Sequence, residues 1–226
     1  MANSTQTPDW LAVYNSLFNR WGPQDWWPGD TPFEIIVGAI LTQNTAWRNV
    51  EKAIQALREE KLLNPEVFET IPANRLAELI RPAGYYNIKS QRLKNFGAYL
   101  KKHHNSSLKC MFSLPTEKLR HELLAVHGIG PETADSILLY AGERPVFVVD
   151  AYTRRFMQRH NWIEGSEKYD RVATIFMEAL PPDAQLYNEF HALIVKLGKE
   201  HCRTKAKCEK CPLNIYPIVS EYSPAS

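Results

Sequence analysis

Apolar residues along this chain recur at intervals of three and four, the spacing of one helix face. Trp10, Leu11, Tyr14 and Leu17 make a first such stripe. Asp30-Thr31-Pro32 offers a helix start, a polar capping residue just ahead of a proline, and behind it Phe33, Ile36, Val37, Ile40 and Leu41 form an apolar helix. Trp47, Val50, Ile54 and Leu57 form the next stripe. Further helices are predicted over Pro72–Ile80, Lys89–Lys102, Glu117–Val126, Glu132–Ala141, Ala151–His160, Tyr169–Leu180 and Gln185–Gly198. Strand signals are nearly absent. Val146-Phe147-Val148-Val149 is too short to seed a sheet and reads as a buried connector between helices, so the predicted class is all-α.

The 226 residues suffice for one large domain or two lobes with their own cores. With 44% hydrophobic and 23% charged residues, the composition excludes a disordered chain. No apolar run approaches the ~20 residues of a membrane span. Met1 to Pro8 is polar and lacks the regions of a signal peptide, so a location in the cytoplasm or on the nucleoid is expected; a monomer without a membrane partner is the expected state. The net charge of +2 argues for nothing, but its distribution is uneven. Lys89, Arg92, Lys94, Lys101, Lys102 and Lys109 fall in a stretch without acids, and Lys196, Lys199, Arg203, Lys205, Lys207 and Lys210 make a second basic stretch. Two such stretches suit contact with phosphates, and equally suit two solvated helix faces.

The most informative segment is Leu123-Leu124-Ala125-Val126-His127-Gly128-Ile129-Gly130-Pro131-Glu132-Thr133-Ala134-Asp135. An apolar helix ends, Gly-Ile-Gly turns, and Pro131 stands where a new helix would begin. Glycines there permit positive φ and close approach of a phosphate, toward which the free N–H groups of the turn and of the next helix would point. A monovalent cation could bridge carbonyls of the turn to the same phosphate oxygen. Twenty residues past Gly130 lies Val148-Val149-Asp150-Ala151-Tyr152-Thr153-Arg154. An acid at a helix start is ordinarily a cap; in this setting Asp150 reads as cap and catalyst together.

Hairpin, Gly-Ile-Gly and the acid of Val-Val-Asp-Ala-Tyr-Thr-Arg resemble the endonuclease III superfamily of DNA glycosylases, over nearly the whole chain. The resemblance implies a two-lobed helix-hairpin-helix fold with the lesion cleft between the lobes. Residues 27–145 would be the central domain carrying the hairpin, and residues 146–226, completed by residues 1–26, the other. It also implies double-stranded DNA with a damaged base as the partner. Ile40-Leu41-Thr42-Gln43-Asn44-Thr45 resembles the family's gap-filling glutamine segment, and Gly84-Tyr85-Tyr86-Asn87-Ile88-Lys89 its wedge loop, although Tyr85 could equally be a turn residue packed on the following helix. The DNA contacts so implied are Gln43, Tyr85, Asn87, Lys89, His127, Gly128, Gly130 and Thr133.

Bifunctional members of that family carry a lysine just after the hairpin; here the matching residue is Glu132, which cannot form an imine. Asp150 remains, and with it a monofunctional hydrolysis through an oxocarbenium-like sugar and an attacking water. Trp26-Trp27-Pro28, the Gln43 segment, Arg81-Pro82-Ala83-Gly84-Tyr85-Tyr86-Asn87 and the hairpin resemble most the 3-methyladenine DNA glycosylase III branch. That branch holds N-alkylated purines between aromatic rings, which would place Trp26, Trp27 and Pro28 on one wall and Trp47 on the other. A cationic alkylpurine stacks well on indoles and leaves easily. The plainer reading of Trp26 and Trp27 is core packing.

Cys202-x5-Cys208-x2-Cys211 has metal-ligand spacing and resembles the family's iron–sulfur loop. It is one residue short in the first interval and has Tyr216-Pro217 where the fourth cysteine belongs. A [4Fe–4S] cluster is the favoured expectation; a zinc completed by His201, or a relic, are the alternatives. Three functions stay open: an alkylpurine glycosylase, a glycosylase for oxidised pyrimidines or mismatched uracil and thymine, and a lesion binder without chemistry. Asp150 weighs against the last.

Overall fold

The computed structural model describes residues 7–218. Most of the polar N-terminal segment, Met1 to Gln6, lies outside the described residues. The chain folds into α1 (Trp10–Trp21), α2 (Pro32–Leu41), α3 (Trp47–Glu59), α4 (Pro65–Phe68), α5 (Ala73–Leu79), a 3-10 turn (Arg81–Ala83), α6 (Tyr86–His104), α7 (Leu108–Phe112), α8 (Thr116–Leu124), α9 (Pro131–Ser136), a π turn (Ile137–Ala141), α10 (Ala151–Arg159), α11 (Tyr169–Ala179) and α12 (Ala184–Glu200). No strand occurs among the described residues, and the fold is all-α, helix-hairpin-helix. No helix of the described residues is long and apolar enough to cross a membrane.

Two compact units divide the chain: one takes residues up to Trp26 and from Pro145 onward, the other is Trp27–Arg144. In the central unit, Thr31 caps α2 by accepting from Glu34 N, with Pro32 at the first helical position. The predicted stripe of Phe33, Ile36, Val37, Ile40 and Leu41 is buried, as are Val50, Ile54 and Leu57 of α3. Buried Glu34 is paired with Arg58 at 2.6 Å, which keeps a carboxylate tolerable in that interior. Two short helices, α4 and α7, escape the periodicity because a single turn shows none; Asn64 and Ser107 cap them. Helix α6 begins earlier than predicted, at Tyr86, directly after the left-handed residues Gly84 (φ 67°) and Tyr85 (φ 45°).

The other unit has an aromatic core in which Phe147 stacks on Phe176 at 4.0 Å and Trp10 meets Phe176 at 4.4 Å. Val146–Val149 is the buried connector expected, not a strand. Helices α10 and α12 approach closely at Gly198, where a Cβ would stand 2.2 Å from the Tyr152 ring.

Candidate active site

Within the central unit the hairpin is α8, a tight turn and α9. Gly128 adopts φ +99°, Ile129 N donates to Val126 O, and Gly130 caps α9 ahead of Pro131. The two glycines differ. A Cβ on Gly130 would meet open space, whereas one on Gly128 would lie 2.3 Å from Cγ of Arg92. Arg92 and Asn95, one turn apart on α6, both reach the turn: Arg92 packs over Gly128, and Asn95 Nδ2 donates to His127 O at 2.9 Å. The bidentate pair of Arg120 with buried Asp135 (2.7 and 3.1 Å) joins α8 to α9 and fixes the hairpin angle.

Gln43 is built into the same network. Its amide nitrogen donates to Gly128 O at 3.0 Å and to buried Thr133 Oγ1 at 2.8 Å, while its amide oxygen accepts from Arg92. Gln43 and Thr133, singled out separately in the sequence, are therefore hydrogen-bonded to each other. Arg92 joins them without having been singled out, because its contacts are tens of residues away along the chain. Asn44 (φ 53°) follows Gln43 in the left-handed region, as does Tyr85 in its own loop. A non-glycine there costs of order 1 kcal/mol, and such residues concentrate at functional positions. Tyr85 is 64% exposed. Asn87, His127, Gly130 and Glu132 are also at the surface, Glu132 in the first turn of α9.

Lys89 is placed otherwise than the basic stretch suggests. It is 1% exposed, and its ammonium donates to Leu41 O and Ala83 O, each at 2.8 Å. Burial, and the neighbouring Arg92 charge, push it down to about 8. It is turned inward rather than presented to a phosphate.

Trp27 meets Trp47 edge-on at 5.0 Å and lies 5.0 Å from Tyr140, all in the central unit. Trp47 Nε1 donates to Glu51 at 2.8 Å, and Pro28 and Trp47 line an open cavity of about 700 Å³ that includes Asp30, Glu51 and Arg58. Trp26 belongs to the other unit, where the Lys199 ammonium sits 6.0 Å from its ring. Tyr140 left no sequence signal beyond one more apolar position in a helix.

In that other unit Asp150 caps α10. Its Oδ1 accepts from Thr153 N at 2.7 Å and from the buried Thr153 hydroxyl at 3.0 Å. Its Oδ2 lies 3.7 Å from Nε2 of His191, a buried residue of α12. Burial pushes the His191 imidazole down, with Asp150 pulling back less strongly, so the ring beside the carboxylate is neutral at pH 7. One oxygen of Asp150 is thus committed to the helix end, and the other stands beside an uncharged imidazole.

The cysteine loop overturns the expected metal centre. Among the described residues no group of three or more His, Cys, Asp or Glu side chains could hold a metal ion, so neither the [4Fe–4S] cluster nor the zinc alternative on Cys202, Cys208 and Cys211 stands. The physical reason is visible at Cys202, whose buried sulfur accepts from Arg159 Nη1 at 2.9 Å. Burial pushes the Cys202 and Cys211 thiols up, away from the thiolate form a metal needs. Arginines of α10 hold the loop instead, Arg155 donating to Cys202 O and Arg159 to Arg203 O. The monovalent cation expected at the hairpin is withdrawn with it: the turn's carbonyls already have partners within the protein, Gly128 O accepting from Gln43 and Val126 O from Ile129 N.

Residues 37–182 match the family model described as HhH-GPD superfamily base excision DNA repair protein. A protein of Methanocaldococcus jannaschii, provisionally named as a DNA repair glycosylase, is 48% identical over 202 residues, covering 89% of this chain and 92% of its own. Endonuclease III of Sulfolobus acidocaldarius is 28% identical over 186 residues, 81% of this chain and 80% of that one. The crystal structure of Helicobacter pylori 3-methyladenine DNA glycosylase, bound to 1,N6-ethenoadenine, superposes with a TM-score of 0.75 at 31% identity, covering 84% of this chain and 96% of that one. The hairpin, the acid that caps the helix after it and these likenesses converge: the chain belongs to the HhH-GPD superfamily of base-excision DNA repair proteins and is a DNA N-glycosylase.

Proposed function

We propose that the chain is a monofunctional glycosylase that hydrolyses the N-glycosidic bond of N-alkylated purines in duplex DNA. The observation that carries the monofunctional part is Glu132, an exposed carboxylate in the first turn of α9, where a lyase would need an amine. Asp150 is the catalytic carboxylate. As the C1′–N bond breaks, its electron pair leaves with the base, and the cationic sugar is stabilised by the Asp150 charge. A water then adds to C1′ and gives its proton to Asp150. An alkylated purine departs as a neutral base from a cationic one, so no acid is needed on the leaving group. Gln43 fills the space that the flipped nucleotide vacates, Tyr85 wedges the opposite strand, and the hairpin turn takes a backbone phosphate.

The substrate class rests on Trp27, Trp47 and Tyr140, an aromatic group suited to an electron-poor base, and on the likeness to the Helicobacter pylori enzyme. A second reading, oxidised pyrimidines or mismatched uracil and thymine, is favoured by the endonuclease III relative and by the edge-on contact of Trp27 with Trp47, which leaves no slot between those rings. A panel of duplexes carrying 3-methyladenine, ethenoadenine, thymine glycol, or uracil or thymine opposite guanine separates the two. Strand breaks only after alkali, and on the alkylated purines, are expected. Breaks without alkali together with a borohydride-trapped adduct would refute the monofunctional assignment, and excision confined to pyrimidines would establish the second reading.

A further inference from the structure

Lys89 is the most deeply buried ammonium of the central unit, and the hydrolysis described above has no use for it. Its two acceptors are not arbitrary carbonyls. Leu41 is the last residue of α2 and Ala83 the last of the 3-10 turn, so both carbonyls lie at helix ends, where intrahelical partners run out and the dipole leaves negative charge. Two residues beyond Leu41 is Gln43, and two beyond Ala83 is Tyr85. Asn44 and Tyr85 then leave their respective turns in the left-handed region. One turn further along α6, Arg92 grips the Gln43 amide oxygen and covers Gly128.

We infer that Lys89 is a positioning residue that yokes the Gln43 segment to the Tyr85 loop, fixing the spacing at which the two enter the duplex. The inference rests on the filler and wedge roles given above to Gln43 and Tyr85. One ammonium binds both segment ends within 2.8 Å, so neither can shift without the other or without stranding a buried charge. Its chemistry demands a compact, multiply donating cation: an arginine fork is larger and planar, and a glutamine retains two N–H donors without the charge. The burial that pushes Lys89 down to about 8 leaves it mainly charged at neutral pH, held there between two partial negative charges.

The test uses the full chain with Lys89→Met, Lys89→Gln and Lys89→Arg, alongside Gln43→Ala and Tyr85→Ala. Each is assayed under single turnover on one lesion, presented once in a stably paired duplex and once unpaired. Thermal melting checks folding. A yoke predicts that Lys89→Met loses about 10-fold to 100-fold on the paired lesion, the cost of an ångström-scale misplacement, and less than about 3-fold on the unpaired one. Lys89→Gln should fall between it and the wild type. Combined with Gln43→Ala and Tyr85→Ala together, Lys89→Met should add little, because both segments it positions have already lost their function. Equal losses on both lesions, or failure of both uncharged variants to fold, would make Lys89 a strut of the core and overturn the inference. If Gln43→Ala and Tyr85→Ala spare the paired lesion, it is the filler and wedge reading that fails. If they impair it and folded Lys89→Met does not, the yoke alone fails.

Discussion

In the proposed mechanism Asp150 serves two purposes through two different oxygens, and a pair of substitutions separates them. Oδ1 takes the Thr153 amide and the Thr153 hydroxyl, while Oδ2 faces the neutral imidazole of His191. Asparagine caps helices as well as aspartate, so Asp150→Asn can keep both Oδ1 contacts and should melt within about 0.5 kcal/mol of the wild type. It has no charge to set against the developing oxocarbenium and no basic oxygen for the water proton. Single-turnover excision should therefore fall by ~10²–10⁴-fold, roughly 3 to 5 kcal/mol of barrier, with duplex binding kept. Asp150→Ala loses the cap as well, worth about 1 kcal/mol, and strands a buried hydroxyl at about 1–3 kcal/mol. For a chain of this size that lowers Tm by on the order of 4–16 °C. Calorimetry and gel-resolved excision on the same preparations give the comparison. An Asn variant within about 3-fold of wild-type excision would refute the catalytic assignment; an Asn variant that melts with the Ala variant would refute the division of labour between the oxygens.

Gly128→Ala should cost about 1–2 kcal/mol through its φ of +99° and its collision with Arg92, and should weaken binding of damaged and undamaged duplex alike, whereas Gly130→Ala, facing open space at φ −94°, should be tolerated; fluorescence anisotropy on both duplexes checks this. His191 has its folded pKa below its unfolded value of 6.5, so the unfolded chain binds the extra proton, and the stability present above pH 6.5 is lost as the pH falls toward the folded value. His160 contributes with the same sign, and His191→Gln should flatten, without abolishing, the decline of Tm below pH 6.5. Serine at Cys202, Cys208 and Cys211 together should leave excision within about 3-fold and the protein free of iron and zinc, by metal analysis; a large loss with metal present in the wild type would reinstate a ligand role.

The helices were legible wherever two or more turns repeat an apolar stripe, since burial on one face imposes that period on the sequence. Val50, Ile54 and Leu57 are examples, each buried as their spacing predicts. Single-turn helices carry no period, so α4 and α7 are marked only by Asn64 ahead of Pro65 and by Ser107. The start of α6 was obscured for another reason: Tyr85, just ahead of it, occupies a left-handed conformation that tyrosine does not favour. The cysteines show the opposite failure, a local spacing that suggests ligands where a buried sulfur serves as acceptor for Arg159.

What the sequence could not disclose about the site is who holds whom. Asp150 and the hairpin glycines are readable because a helix cap and a tight turn are local requirements. Lys89 and Arg92 lie in one basic run and look alike there; a solvated face or a phosphate patch is the natural interpretation of six cations without acids. Their difference arises only when α2 and the 3-10 turn end beside α6 and leave two carbonyls to be satisfied in the interior. Once Lys89 answers them, it is no longer available to DNA, and Arg92, three residues on, is directed to Gln43 and the hairpin. Position on a helix, not charge, thus decides which cation joins the ends of α2 and the 3-10 turn and which braces the hairpin turn. His191 follows the same logic from the other unit: it stands forty-one positions after Asp150 in the sequence, and only the packing of α10 on α12 sets an imidazole beside the carboxylate. A residue that acts on another across such a separation leaves no motif, since nothing in its own neighbourhood depends on the contact.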